Sequence, residues 1–482
     1  MKMLFRFVTV LAALVTVACA PRERVVVILS TNDMHAKIER FARLAAAVER
    51  CRDTVSDTVS DVVLADAGDR WTGNAFVDKA PTPGMPMLSL MNRLGFDVAT
   101  LGNHEFDYGQ AFLGRMLDSM RFAVVCANVV SDTATFPQMA PWTILERGGV
   151  RIGFVGVVTN YEGPGHPAGN DSSYAGLEFP DPQQAAARCA RELRDKVDVL
   201  VLLSHMGDDR DREFLSSNSD YDLLLSGHTH VVVDTLVGGT PLLQTGKELR
   251  NVGVTVLRLK GHRLVGVETR VVPLSDYEPA PEYEALVADI YASPELNAPV
   301  GSLAEAADKQ GLANWMAEAV ADCADAEVGF YHVGGVRLDR VEKGAVSSAT
   351  VYGLEPFGTH VAAMRMTPAQ MRRMIVEKYN DTVNLKEAHR IDLIATTPYE
   401  LVVDAEDRAL DVRFPKLLEG RLYRVAMNDY IFRNYRALEY TDGRILDDGV
   451  ADVLLEELRE DSPLHPDNEA RQRVVRLGAG SR

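Results

Sequence analysis

The sequence predicts an α/β fold in at least two domains, on three observations. From Arg24 onward, short apolar β-rich runs alternate with stretches of helical period, which implies a layered domain with a buried sheet. The chain has 482 residues, 46% of them hydrophobic, and single cores rarely grow beyond about 250–300 residues. Pro273, Pro279 and Pro281 fall close together near the middle, where a domain boundary is expected.

Taken in order, residues 1–18 read as a targeting segment. Lys2 and Arg6 form a basic start, and residues 7–18 form an apolar stretch too short to span a bilayer. Thr16-Val17-Ala18-Cys19 resembles a bacterial lipobox, with Thr16 where Leu is usual. Ala18-Cys19-Ala20 also fits an ordinary secretion site, but Pro21 argues against that cleavage. The expectation is export, with anchoring to a bacterial membrane (periplasm or cell surface) through a lipidated Cys19. Strands are then expected at 25–30, 61–64, 98–101, 122–127, 151–158, 197–203 and 221–225, and helices at 38–51, 86–94, 110–119 and 181–196. Residues 254–259 and 264–272 read as a sheet-edge hairpin. The expected domains are 19–275 and 301–482, joined by a linker helix in 276–300. In the second, helices are expected at 311–322 and 368–379 and strands at 327–331 and 421–427.

Five short blocks carry metal-ligand side chains: Thr31-Asn32-Asp33-Met34-His35, Gly68-Asp69, Gly102-Asn103-His104-Glu105, Ser204-His205 and Gly227-His228-Thr229-His230. Almost every block directly follows an expected strand, where ligands gather in α/β sheets. Four of the five are weak alone: Asp-x-His is usually a turn feature, and Gly-Asp says little, whereas Gly-Asn-His-Glu is rare, follows an expected strand and is more specific. Together they supply the mixed Asp, Asn and His set that two adjacent divalent cations need, and imidazole with carboxylate favours Zn, Mn, Co or Fe over Ca and Mg.

In these blocks the chain resembles the calcineurin-like metallophosphoesterases, and within them the bacterial 5′-nucleotidase/UDP-sugar hydrolase family. The resemblance implies a four-layer β-sandwich flanked by helices, followed by a smaller α/β C-terminal domain. It implies that Asp33, His35 and His230 hold one metal, that Asn103, His205 and His228 hold the other, and that Asp69 bridges them. Two such ions lie about 3.5–4 Å apart in comparable enzymes, and a water between them becomes the nucleophile of an in-line displacement. The resemblance makes His104 a catalytic group at the phosphoryl centre and Asp107 its orienting partner. Glu105 and Asp66 are expected to be structural. His166, His262, His332, His360, His389 and His465 lie outside the blocks and are expected to be exposed or satisfied histidines.

The second domain resembles the 5′-nucleotidase C-terminal domain, in which two aromatic rings sandwich a nucleobase. The resemblance implies Arg337 of Val333-Gly334-Gly335-Val336-Arg337 as a contact to substrate oxygens. It implies Phe357 of Glu355-Pro356-Phe357-Gly358-Thr359 as one stacking ring, and Tyr430 of Asn428-Asp429-Tyr430, on a strand, as the other. The sequence departs from the family at Thr359, where an Asn contacts the base, at His332, where an Asn or small residue stands, and at 431–436, which lacks Gly-Gly-Asp-Gly-Tyr.

The formal charge is −18, and removing Lys2 and Arg6 with the leader brings it to about −20. Such a surface argues against a nucleic-acid polymer as partner, but not against a small phosphorylated substrate beside bound cations. The five cysteines, Cys19, Cys51, Cys126, Cys189 and Cys323, show no disulfide framework or zinc spacing. The expected activity is release of phosphate from nucleoside 5′-monophosphates or related nucleotides. A cyclic nucleotide, sugar phosphate or other small ester is the alternative, and a non-catalytic surface lipoprotein the third reading.

Overall fold

The computed structural model describes residues 23–476, apart from 56–58, 60, 162–164, 170, 382–389 and 436. The targeting segment, Cys19 and His389 therefore lie outside the described residues. The chain divides into two compact units. One comprises residues up to Thr72 and Thr82–Asp289; the other comprises Gly73–Pro81 and Ile290–Arg482. Each is taken by itself.

The first unit is a pair of six-stranded sheets. One runs in the order Arg263–Pro273, Asn251–Lys260, Glu23–Thr31, Asp61–Asp66, Val98–Ala99, Ala123–Val124. The other runs Val232–Val237, Thr240–Thr245, Leu223–Ser226, Val199–His205, Val150–Val158, Trp142–Arg147. Glu23–Thr31, Asp61–Asp66, Val98–Ala99 and Ala123–Val124 are mutually parallel, as are Val150–Val158, Val199–His205, Leu223–Ser226 and Thr240–Thr245. The expected hairpin is present, with Arg263–Pro273 at the edge. Side chains alternate across a strand, and the sandwich follows from that parity. Val199, Val201 and Leu203 join Val26, Ile28 and Val63 between the sheets. Leu200 and Leu202 face outward, onto Ala186, Cys189 and Leu193 of helix Pro182–Leu193 and Phe214 of helix Asp208–Ser217. Helix Phe41–Arg52 packs by the strand Asp61–Asp66 of the other sheet. The order is helix, sheet, sheet, helix.

The proline-rich stretch continues the hairpin through Pro273, makes a short 3₁₀ turn at Leu274–Asp276 and enters helix Pro281–Tyr291. Cys51, Cys126, Cys189 and Cys323 are free thiols; Cys126 and Cys189 are buried.

The second unit is built on a five-stranded sheet in the order Leu393–Ala395, Val328–His332, Tyr423–Asn428, His360–Met366, Thr441–Gly449. Its middle pair, Val328–His332 and Tyr423–Asn428, is parallel. Tyr331, Val361 and Ala426 pack on one face with helices Lys309–Cys323 and Val450–Asp461. Phe330, Met364, Val425 and Met427 pack on the other with helix Pro368–Asn380. Segment Gly73–Pro81 belongs here: Asn74 donates to the Tyr291 hydroxyl at 2.8 Å, Phe76 meets the Tyr291 ring edge-on, and Lys79 Nζ lies 4.6 Å from the Tyr352 ring centre.

Candidate metal centre

The five blocks stand at carboxyl ends of strands from both sheets. Asp33 follows strand Glu23–Thr31, Asp69 follows Asp61–Asp66, and Asn103 follows Val98–Ala99. His205 ends its own strand, and His228 follows Leu223–Ser226. Parallel strands within each sheet deliver these ends to one edge, so residues far apart in sequence meet.

The side chains converge. Ligand atoms of Asp33, His35 and His230 lie within 4.8 Å of one another, as do those of Asp69, His205 and His228. A third group joins His35, Asp69 and His104, so Asp69 is shared. His35 Nε2 and His230 Nε2 are 3.0 Å apart, and His230 Nε2 is 3.5 Å from Asp33 Oδ1. Asp69 Oδ2 lies 3.1 Å from His205 Nε2, while its Oδ1 accepts the His104 N–H at 2.9 Å. Asn103 Oδ1 is 3.1 Å from His228 Nδ1. Asp33, His35, Asp69, Asn103 and His205 are buried; His104, His228 and His230 are partly exposed.

This arrangement fits divalent cations. His205 Nε2 is buried without a hydrogen bond of usable geometry and points among carboxylates, as a ligand atom would. His205 Nδ1 engages the Ala67 carbonyl at 2.7 Å and His35 Nδ1 the Thr72 carbonyl at 3.2 Å. Fixing one ring nitrogen in this way aims the other at a metal. Asp33, His35, Asp69, His228 and His230 all have φ between 46° and 88°, a conformation costing roughly 1–3 kcal/mol for such residues. The loops hold these side chains where relaxed backbone would not put them. Gly68 and Gly102 allow the close approach: a Cβ on Gly102 would sit 2.2 Å from Asp69 Oδ1 and 2.8 Å from His205 Nε2.

Electrostatics follow from burial. Burial pushes the Asp33 carboxyl up to about 6, against the pull of His205. Burial would also raise Asp69, but His205, His104 and His35 around it hold it well below the usual range. Burial would lower His205; the Asp69 carboxylate overrides this and holds it up at about 10. Without cations, the site meets its own carboxylates by protonating imidazole.

His104 stands beside the cluster with its Nδ1 2.7 Å from Asp107 Oδ2. That contact orients the ring through Nδ1, so Nε2 is the nitrogen that would face a bound group. His104 is also within ligand reach of His35 and Asp69.

Several positioning groups were not assigned from sequence. Glu105, expected to be structural, accepts the N–H groups of Asp69 at 2.9 Å, Gly102 at 2.5 Å and Arg70 at 2.8 Å. Arg70 is fully buried between Glu105 at 3.6 Å and Asp66 at 3.1 Å. Asn32 donates to Asp33 Oδ2 at 2.6 Å and to the Gly246 carbonyl at 2.7 Å. Asp211, buried on helix Asp208–Ser217, accepts the hydroxyls of Ser204 and Ser226, each at 2.5 Å, beneath the loops of His205 and His228. Its one sequence signal is a run of aspartates just after Ser204-His205-Met206-Gly207.

In the second unit Arg337 lies over the Phe357 ring, 5.5 Å from its centre. Thr359 is buried and donates to Glu355 at 3.1 Å; burial pushes the Glu355 carboxyl up to about 7. Tyr430, expected on a strand, is instead on the first turn of helix Asp429–Asn434, because the Asn428 side chain caps that helix and ends the strand. Its ring stacks on His332.

Fold and side chains together define a calcineurin-like metallophosphoesterase: residues 26–232 match that family and residues 297–439 match the 5′-nucleotidase C-terminal domain. The chain belongs to the 5′-nucleotidase family, whose metallophosphoesterase domain implies divalent metals. Endonuclease YhcR of Bacillus subtilis (strain 168) is 26% identical over 410 residues, covering 74% of this chain and 33% of that protein. A probable 5′-nucleotidase of Treponema pallidum (strain Nichols) is 30% identical over 243 residues, covering 47% of this chain and 40% of that protein. The chain thus spans well under half the length of these curated relatives. The 5′-nucleotidase precursor of Thermus thermophilus shares the fold, with a TM-score of 0.75 at 19% identity, over 94% of this chain and 99% of that one.

Proposed function

We propose that the chain is a two-metal phosphohydrolase releasing phosphate from nucleoside 5′-monophosphates or closely related nucleotides. The observation that carries this reading is the convergence of Asp33, His35, Asp69, Asn103, His205, His228 and His230 beside the His104–Asp107 pair. Asp33, His35 and His230 would hold one cation and Asn103, His205 and His228 the other, with Asp69 serving both. When bound, such cations polarise phosphoryl oxygens and lower the pKa of water. His104 then faces the phosphoryl group, stabilises its developing charge and gives a proton to the leaving oxygen. Asp107 keeps the proton on Nδ1 shared and the ring in place. The ions would be Zn, Mn, Co or Fe.

The nucleotide part of the reading draws on the C-terminal domain, with Arg337 toward substrate oxygens and Phe357 and Tyr430 toward the base. A second reading, a non-nucleotide or cyclic phosphoester, is favoured by Thr359 being occupied by Glu355. Export with a lipid on Cys19 is part of the proposal. Hydrolysis assays with Mn or Zn separate the readings. Turnover of both AMP and a plain aryl phosphate is expected; turnover of the aryl phosphate alone selects the second reading, and turnover of neither removes the enzyme.

A further inference from the structure

His332 closes the strand Val328–His332, and Asn428 closes its parallel neighbour Tyr423–Asn428. Both therefore stand at one carboxyl edge of the five-stranded sheet, the kind of edge where open α/β sheets receive ligands. Tyr430 lies two residues beyond Asn428.

The His332 ring is fixed by contacts of three kinds: ring stacking, a hydrogen bond and the turn beneath it. It stacks on Tyr430, with centroids 4.9 Å apart and planes 19° apart, and lies 5.5 Å from the Tyr331 ring at 24°. The Asn428 oxygen is committed to the Ile431 N–H at 3.1 Å, so its amide nitrogen is the group that donates to His332 Nδ1, 3.4 Å away. The ring proton therefore sits on Nε2. The third is the turn below: a Cβ on Gly335 would lie 2.4 Å from His332 Cε1, so the imidazole fits only above glycine. Burial pushes His332 down to about 4, with Lys378 and Arg337 acting the same way and Asp392 against it. The ring is thus uncharged at neutral pH and stacks without shedding the hydration of an ion.

Tyr430, by contrast, is 39% exposed. An exposed tyrosine ordinarily samples several rotamers, and ordering it for a ligand costs binding energy. His332 removes that freedom in advance. We infer that His332 is a positioning residue for Tyr430. Together they form a fixed ring platform on which the flat base of a nucleotide stacks, so His332 sets base affinity without touching the phosphate. This inference rests on the nucleotide reading above.

Steady-state kinetics of the full chain, loaded with Mn or Zn, test it on AMP and on a plain aryl phosphate. His332→Ala is expected to raise KM for AMP about tenfold, the scale of one base–aromatic stack. It is expected to leave kcat, and both constants for the aryl phosphate, within about twofold. His332→Phe keeps a flat ring against Tyr430 and is expected to restore KM to within about threefold; His332→Asn, which has no ring, is not. In a Tyr430→Ala background His332→Ala is expected to add nothing, because the two residues act as one unit. Equal losses on both substrates, a fall in kcat with KM unmoved, or additive losses in the double variant would overturn the inference. Should His332→Ala fail to show a cooperative unfolding transition, the comparison of His332→Phe with His332→Asn decides alone. A wild-type chain that hydrolyses the aryl phosphate but not AMP overturns the nucleotide reading and this inference together. Wild-type turnover of AMP with KM unchanged in the variants overturns the inference only.

Discussion

Replacing Glu105 by glutamine asks whether Asp69, common to two of the side-chain clusters, is held in place from behind. Glu105 Oε2 accepts the N–H groups of Asp69 and Gly102, and Oε1 accepts that of Arg70 while facing its guanidinium at 3.6 Å. Glutamine keeps the shape but has one acceptor oxygen. If that oxygen serves Asp69 and Gly102, the amide nitrogen confronts the Arg70 N–H, donor against donor. One buried backbone donor then goes unsatisfied, at about 1–3 kcal/mol. The buried guanidinium also loses one of two carboxylates. Breaking a buried pair outright costs about 3–5 kcal/mol, and because Asp66 remains at 3.1 Å the smaller end applies. The sum is about 4–6 kcal/mol. At about 2–4 °C per kcal/mol for a unit of this size, Tm of the metal-loaded protein should fall by roughly 10 °C or more. Since the lost bonds fix the loops of Asp69 and Asn103, metal affinity or turnover should fall about 10–100-fold as well. Thermal denaturation, metal analysis and aryl phosphate turnover measure the three effects. A variant matching wild type in all three would refute the idea that Glu105 positions the Asp69 carboxylate.

The other expectations are more direct. His104→Ala should lower kcat by about 10²–10⁴-fold, as for loss of a positioned proton donor, while metal content stays near normal; loss of both ions would show that His104 is a ligand. Gly102→Ala should abolish metal binding, because its Cβ would meet Asp69 Oδ1 at 2.2 Å; a variant that still binds both ions in metal analysis would disprove the close approach. In the metal-free protein His205 is held up at about 10, above its ordinary 6.5. That raised group stabilises the fold fully below 6.5, and the contribution is lost as pH rises through 10. Cations need the neutral ring, so their binding strengthens over the same interval and should release about one proton near pH 7. Calorimetry in buffers of different ionisation heat counts that proton, and a count of zero would contradict the assignment. Phe357→Ala should weaken AMP by about tenfold and the aryl phosphate hardly at all; equal effects on both would remove its stacking role.

The strands that carry the ligands were legible because each is short, apolar and ended by a polar block. Val199, Val201 and Leu203 read as a buried run, and His205 closes it. The pairing of distant blocks rests on parallel strands within each sheet, whose order no local pattern reveals. Strands Val232–Val237 and Thr240–Thr245 were missed: Thr, Gln, Pro and Asp interrupt their apolar residues, and Thr240–Thr245 takes its register from Leu223–Ser226 while Val232–Val237 takes its own from Thr240–Thr245. Asp211 and Arg70 were invisible for another reason. Each is a charged residue in a stretch that reads as solvated surface, and only the folded loops turn it inward. Tyr430 was misplaced by its neighbour, since Asn428 reads equally well as a strand end or a helix cap.

Neither unit is an unbroken piece of polypeptide, because Gly73–Pro81 leaves one and joins the other before the chain returns. A gene cut near the middle would strip Phe76 and Lys79 of the tyrosines they rest on, and would leave the later half short of an element encoded near the start. Swapping halves between relatives by a single crossover should therefore yield mismatched hybrids. Swaps that carry the short early segment along with the later half should be the ones that yield intact protein.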